Sequence, residues 1–528
     1  MNPGAGLKAY PRLAEAQAEL EAGRAESANA IAIQHLREHR GEPRGLALLG
    51  AIALRGGALV QAEQFLRQAM TAGLTSFEVQ RDLASAINQQ ERSGEALRAF
   101  SYLADQVAEL QMRATKALIL DKLGRTSEAR TEHELVVAQG GQRPEPWISY
   151  GNNLRAGGQI DDAIAAYRRA TAIELEHGEA WWALANIKSR VLNDADIGVM
   201  EQALAGAVDL RNVVPLHFAL GRAYHDHDDH AAAFEHFTRG NDLRARTIGY
   251  RREELTAEVD EFIARFGPAF FERPLPVQSE GPIPVFVISL PRSGSTLLEQ
   301  MLDCHSRIEA VGELPYIRAL LRSAMEIHTR SSSLKVPDLV AAISLQEREA
   351  YGADYLARAS LHRKTDAPYF VDKMPMNWSD VLFIREILPQ ARFIDIRRPA
   401  MDCCFSNYIH YFSRAHAASF RLDDIGHCYV DYVRLMDHLA NVAPGLVHHV
   451  DYVQLVEAPK QSLSAVLDYL DLSWEEPLLS FHVSDRAVRT PSAEQVRRPL
   501  NRSGFGASEP YAQWLRPLRD ALGPLADS

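Results

Sequence analysis

Residues 285–313 read VFVISLPRSGSTLLEQMLDCHSRIEAVGE, and the order of residue types along them decides the fold of the C-terminal half. Val285-Phe286-Val287-Ile288 is a largely β-branched apolar run set behind Pro282 and Pro284, which predicts a buried strand of a parallel sheet. A turn of small polar residues follows, Pro291-Arg292-Ser293-Gly294-Ser295-Thr296. Leu297, Leu298, Met301 and Leu302 then recur at helical spacing. The first N–H groups of such a helix have no intrahelical partner and carry about half a positive charge, so the turn predicts an anion site. Ser293, Ser295 and Thr296 add hydroxyl donors, and Gly294 lets the backbone come close to a ligand. A G-x-x-x-x-G-K-[ST] loop would carry a lysine before the hydroxyl pair. Here the fixed cation is Arg292, at the start of the turn.

The chain has 528 residues, enough for two or more domains, and its 46% hydrophobic and 24% charged residues are those of soluble globular protein. No apolar run approaches the about 18 residues of a membrane span. The first residues, MNPGAGLKAYPRLAEAQAEL, lack a basic stretch followed by an apolar one, so no secretory signal is expected. A net charge of −12 argues against broad nucleic-acid binding and against an anionic membrane surface, while leaving room for a local basic pocket. Cys304, Cys403, Cys404 and Cys428 show neither zinc spacing nor a disulfide framework. The expectation is a cytoplasmic protein with reduced thiols and no metal, in which the adjacent Cys403 and Cys404 point in different directions from one helix.

The N-terminal half repeats. Ala28, Ala62, Ala96, Ala129, Ala163 and Ala233 are separated by 34, 34, 33, 34 and 70 residues, the last step being two repeats with a small insertion. Twelve residues before most of them stands another small residue (Gly50, Ala84, Ala117, Gly151, Gly221), and four after them often a large one (Leu66, Phe100, Tyr167, Phe237). Such spacing predicts about seven helix pairs over residues 10–245, with small residues where the two helices of a pair cross. It fits poorly around Ala28, as at an end cap, and around Ile197. A further helix is expected over residues 251–266. The proline-rich FERPLPVQSEGPIP (271–284) reads as a linker. The predicted organisation is therefore a repeat array at 1–270, a linker at 271–284 and a second domain at 285–528.

Within that second domain, Gly312-Glu313 is a carboxylate at a glycine corner some 20 residues after the anion turn, a general base or a helix-capping residue. Tyr369-Phe370-Val371-Asp372 is a short strand that delivers Lys373 at its carboxyl end, where ligands bind in open α/β sheets. Phe393-Ile394-Asp395-Ile396 leads into Arg397-Arg398-Pro399, and a helix through Asp402, Ser406 and Tyr408 follows, so arginine and serine flank a second strand–helix corner. Asp395 has the place of a Walker-type carboxylate, but the lysine of that motif is missing from the turn.

In their order along residues 284–515, these blocks resemble the sulfotransferases that use 3′-phosphoadenosine 5′-phosphosulfate (PAPS). The likeness is closest to the tyrosylprotein sulfotransferase branch, in the form fused behind tetratricopeptide repeats. The resemblance implies an all-α tetratricopeptide solenoid followed by an α/β, P-loop-like domain. It assigns the 5′-phosphosulfate loop to Arg292, Ser293, Gly294, Ser295 and Thr296, the catalytic base to Glu313 and the transition-state cation to Lys373. Arg398 and Ser406 match its 3′-phosphate pair, and Tyr452, in Val450-Asp451-Tyr452, matches a tyrosine near the adenine. Ser492, Gln495, Arg498 and Asn501, in SAEQVRRPLN (492–501), match a late segment that closes over the donor, with Ser492 steadying the transferring group.

The sequence departs from that family at three places. Proline follows the second arginine directly, which leaves Arg397 as a second candidate for the 3′-phosphate. His410 stands where the tyrosine-sulfating branch has arginine, and Ser508-Glu509 where an aromatic and a basic residue are common. His305 competes with Glu313 as base, or caps the loop helix. A protein tyrosine, a glycan, a lipid or a small phenol would each suit as acceptor. The repeats serve either as a groove for a protein or peptide partner or as an arm for a homodimer. A metal-dependent P-loop kinase and a repeat scaffold with an inactive domain are the competing readings.

Overall fold

The computed structural model describes residues 10–106, 109–187, 190–273, 275, 281–328, 335–412, 416–483, 496–502 and 504–527. Among these, fourteen helices run from Pro11–Glu21 to His230–Ala245 and form seven successive pairs. Several start with proline at the first helical positions (Pro11, Pro43, Pro144), where its missing N–H costs nothing. The repeated alanines are fully buried. A Cβ placed on Gly50 would lie 2.6 Å from Leu66, one on Gly151 2.4 Å from Tyr167, and one on Gly221 2.7 Å from Phe237. The small residue and the large one sixteen positions later are therefore direct partners across each pair. The sixth pair explains the poor fit at Ile197: its first helix is only Gly178–Ala185, and the second, Asp194–Gly206, is restarted by a capping box between Asn193 and Asp196.

Contacts group the chain into two compact units. The first holds residues up to Gln139 and, from far along the chain, Pro315–Leu339 and Tyr355–Leu361. Within it the Glu326 carboxylate, on helix Tyr316–His328, accepts from the amides of Val60 (3.1 Å) and Gln61 (2.9 Å), which are orphan donors in the first turn of helix Leu59–Thr71. Arg358 donates to the carbonyl of Gln90 at 2.8 Å.

The second unit comprises Gly140–Leu314, Val340–Asp354 and His362–Ser528. It contains the last three helix pairs, helix Arg252–Arg265 and a five-stranded parallel sheet. The strands are β1 (Ile283–Ile288), β2 (Ile308–Gly312), β3 (Tyr369–Asp372), β4 (Arg392–Arg397) and β5 (Val447–Asp451), in the order β2-β3-β1-β4-β5. β1 opens at Ile283, inside the proline-rich stretch, because the Ile283 amide donates to the carbonyl of Pro368 at 2.8 Å. Its alternate side chains serve two cores. Val285 and Val287 pack with Leu298, Met301, Leu302, Leu463 and Leu467 on one face, and Phe286 stacks on Phe393 (5.7 Å) on the other. Behind the sheet, wholly buried Glu386 gathers Arg273 (3.1 Å), Arg348 (2.5 Å) and Arg385 (2.9 Å).

Candidate active site

All five strands are parallel, so their carboxyl ends lie along one edge, and each end delivers a polar residue there. At the end of β1 the turn leads into helix Ser295–Leu302. Gly294 has φ +96°, a left-handed conformation that glycine adopts freely, and a Cβ on it would lie 2.3 Å from the Tyr452 ring. Arg292 has φ +67°, which costs a non-glycine residue about 1–2 kcal/mol. The conformation is held from outside. Asn407 Nδ2 donates to the Pro291 carbonyl at 2.7 Å, Ser293 Oγ meets Cys403 Sγ at 3.2 Å, and Arg398 Nη1 donates to the Arg292 carbonyl at 3.2 Å. Burial, then the nearby charges of Arg398 and Arg222, pull the Arg292 guanidinium down to about 10, still charged at neutral pH.

β2 and β3 end side by side. The Lys373 amide donates to the Gly312 carbonyl at 2.9 Å, and the Leu314 amide to Asp372 Oδ1 at 3.2 Å, which fixes the corner that carries Glu313. The Lys373 side chain is 1% exposed, and its ammonium pairs with the half-exposed Glu313 carboxylate. Glu299 Oε2, on the helix of the anion turn, lies 3.9 Å from the same ammonium. Glu313, Lys373 and that helix are thus joined through one buried cation, which the two carboxylates compensate.

At β4 the paired arginines part. Arg397 turns to Asp395 (2.8 Å) and Asp437 (3.3 Å). Arg398 is 8% exposed and turns to the anion turn, donating to Ser406 Oγ (3.1 Å) and to the carbonyl of Gly504. Its Nε is buried and meets no acceptor among the described residues. Asp395 is wholly buried and accepts from Tyr432, Arg397 and His449 (2.8 Å), so it is committed to the sheet.

Beyond β5, Tyr452 lies over Gly294 and beside Arg398, whose guanidinium carbon is 5.8 Å from its ring centroid, and Phe505 meets it edge-on at 5.8 Å. Asp402 fixes the segment that carries Phe505 by accepting from the amides of Gly506 (2.8 Å) and Ser508 (2.9 Å) and from the Ser508 hydroxyl (2.8 Å).

The structure therefore brings together Arg292, Ser293, Gly294, Ser295, Thr296, Glu313, Lys373, Arg398, Ser406 and Tyr452. Arg498 and Asn501 are solvent-exposed, with the Asn501 amide donating to Pro499 at 3.0 Å. Ser492 and Gln495 lie outside the described residues. His305 is 3% exposed, and both ring nitrogens are engaged, with the Ser473 carbonyl (2.9 Å) and the Arg307 amide (3.1 Å), as a capping residue's would be. Cys403 and Cys404 do diverge: one meets Ser293, the other the Ile425 carbonyl at 3.8 Å. The sequence reading gave no role to Glu299, Asp402 or Asn407. The spacings Asp402–Ser406 and Cys403–Asn407 put Asp402 and Asn407 on rows of one helix, but nothing in that spacing says which distant backbone groups those rows meet.

Comparison with known proteins agrees with this domain. The model of the sulfotransferase family matches residues 284–476, so the C-terminal half carries a domain of that family. An uncharacterized protein of Aquifex aeolicus is 29% identical over 62% of this chain and 44% of its own length. Protein-tyrosine sulfotransferase 2 of Gallus gallus is 22% identical over 41% of this chain and 60% of its own. This chain thus spans about half the length of these two relatives. A solved tetratricopeptide repeat protein of Parabacteroides merdae is 14% identical, with a TM-score of 0.36, over 46% of this chain and 94% of its own. Among the described residues no helix is long and apolar enough to cross a membrane.

Proposed function

We propose that this chain transfers a sulfuryl group from PAPS to an acceptor hydroxyl, that the acceptor is the phenol of a protein tyrosine, and that the repeat helices present the acceptor or a partner. The observation that carries the reading is the convergence at one sheet edge of an arginine-led turn, a buried lysine on a half-exposed glutamate, and a second arginine on serine. The donor's chemistry fits the residues present. Arg398 is held mainly by neutral oxygens and keeps a buried donor, Nε, without an acceptor among the described residues, as suits a phosphate site.

PAPS supplies an activated sulfuryl group whose departure leaves charge on a phosphate. In this reading Arg398 and Ser406 hold the 3′-phosphate. Ser293, Ser295, Thr296 and the first amides of helix Ser295–Leu302 hold the 5′-phosphate, with Arg292 beside them. Tyr452 stacks against the adenine. Lys373 holds positive charge where negative charge develops, which calls for a preorganised cation in a water-poor site. Glu313 takes the acceptor's proton from the solvent side of the same ammonium. Ser492, Gln495, Arg498 and Asn501 belong to the late segment of the same reading, as do a metal-free reaction and a cytoplasmic location.

The test is transfer from labelled PAPS to a tyrosine-containing acidic peptide and to its phenylalanine counterpart. Glu313→Ala and Arg292→Ala should each reduce transfer by about 10²–10³-fold with unchanged melting temperature. Full activity in both variants, or stabilisation by ATP with magnesium but not by adenosine 3′,5′-bisphosphate, would remove the reading. Equal labelling of the two peptides would remove the tyrosine acceptor alone.

A further inference from the structure

Two carboxylates share the Lys373 ammonium, and their surroundings differ. Glu313 stands at the corner after β2 with its side chain 40% exposed. Glu299 stands in the second turn of helix Ser295–Leu302 with its side chain 3% exposed, and its Oε2 lies 3.9 Å from the ammonium. Its place is four residues after Ser295 and three after Thr296, so the three share one face of the helix. Helical side chains lean toward the amino end, which turns the Glu299 carboxylate back toward the anion turn. Lys373 itself, immediately after β3, is 1% exposed.

These exposures divide the work. A general base must meet the acceptor, and of the two carboxylates Glu313 is the one open to solvent. Once it has taken the acceptor's proton its charge is cancelled, and it no longer compensates the ammonium. An ammonium kept from water is costly without a carboxylate beside it. Glu299, anchored on the helix of the anion turn, keeps a negative charge beside Lys373 whichever way that proton moves. The same charge repels Glu313, which weakens the hold of the ammonium on it and leaves it freer to turn to the acceptor.

We infer that Glu299 is a positioning residue for sulfuryl transfer, the buried counter-charge that holds the Lys373 ammonium in place while Glu313 exchanges a proton with the acceptor. The inference deepens the PAPS reading above and rests on it. In that step the acceptor O–H proton passes to Glu313 and the acceptor oxygen bonds to sulfur. The bond from sulfur to the 5′-phosphate oxygen breaks with its electrons on the phosphate. Glu299 touches none of these atoms and acts only through Lys373.

The test uses the full chain. It measures transfer from labelled PAPS to the tyrosine peptide and to a small phenol, beside calorimetric titration with adenosine 3′,5′-bisphosphate. Glu299→Gln keeps the shape and removes the charge. It should lower kcat about 10-fold or more and leave bisphosphate affinity within about twofold. Glu299→Asp restores the charge and should recover part of kcat, and melting temperatures show that both variants are folded. An unchanged kcat in Glu299→Gln, or an equal loss in both variants, would overturn the role of Glu299 while leaving the PAPS reading in place. Loss of kcat and of bisphosphate binding together would overturn it too. That is the result expected of a carboxylate that merely packs helix Ser295–Leu302, since the same helix holds the donor's 5′-phosphate in this reading. Failure of the unsubstituted chain to transfer to either acceptor would overturn that reading and the inference with it.

Discussion

Around Glu386, three arginines converge on a carboxylate that is wholly buried. At the carboxyl edge of the sheet, Arg398 is almost as deeply buried but donates to two backbone carbonyls and a hydroxyl, with the Asp402 carboxylate no nearer than 3.9 Å and engaged by Gly506 and Ser508. The first cluster is closed: its buried anion is already part of the protein, and Phe270 and Phe271 cover Arg273 and Arg385. The second holds no internal anion at hydrogen-bonding distance of its guanidinium, which fits the phosphate site proposed for it. Burial of an arginine therefore says little about its purpose until its acceptors are named. An internal carboxylate marks a structural cluster, and neutral oxygens mark a site that awaits an anion.

Substitutions can break that contrast. Glu386→Ala leaves three arginines without their common partner and should cost about 3–5 kcal/mol, read as a lower urea midpoint. Arg398→Ala removes charge that nothing inside the protein uses fully. It should abolish bisphosphate binding within the range of calorimetry, a loss of about 10²-fold, while the urea midpoint moves by less than that of Glu386→Ala. If the two variants behaved alike, the contrast would be wrong. Gly294→Ala tests the turn between them. Its Cβ would press on Tyr452 in a left-handed backbone, so a loss of about 1–3 kcal/mol in stability is expected, together with weaker nucleotide binding. Arg502, paired with Glu457 at the surface, is a third kind of arginine, and Arg502→Ala should change the urea midpoint by no more than about 0.5 kcal/mol in equivalent stability.

What the sequence made legible follows from the range of the interactions involved. Helix pairs are set by contacts sixteen residues apart, so Gly50–Leu66, Gly151–Tyr167 and Gly221–Phe237 could be read from spacing alone. The turn after β1 was equally local. Strand order was not, because β1 lies between β3 and β4 through pairings more than eighty residues apart in the chain. The directions taken by Arg397 and Arg398 were also beyond reach. They turn on where β4 ends: Arg397 is its last residue and faces Asp395 and Asp437, whereas Arg398 is the first beyond it and faces the turn. Asn407 and Asp402 escaped notice because they act on backbone groups of distant segments, and a single sequence carries no pattern for those.

Glu326 caps a helix made more than 250 residues before it, and Arg358 and Leu361 complete the same unit at Gln90 and Gly94. On the ribosome the earliest repeats must therefore wait for their final partners. From Gln139, where the first stretch of that unit ends, to Leu361, translation at about 5–20 residues per second takes roughly 10–45 s. For that interval the amides of Val60 and Gln61 and the carbonyl of Gln90 rest on water, and the first unit gains its last hydrogen-bond partners only when residues 315–361 have been made.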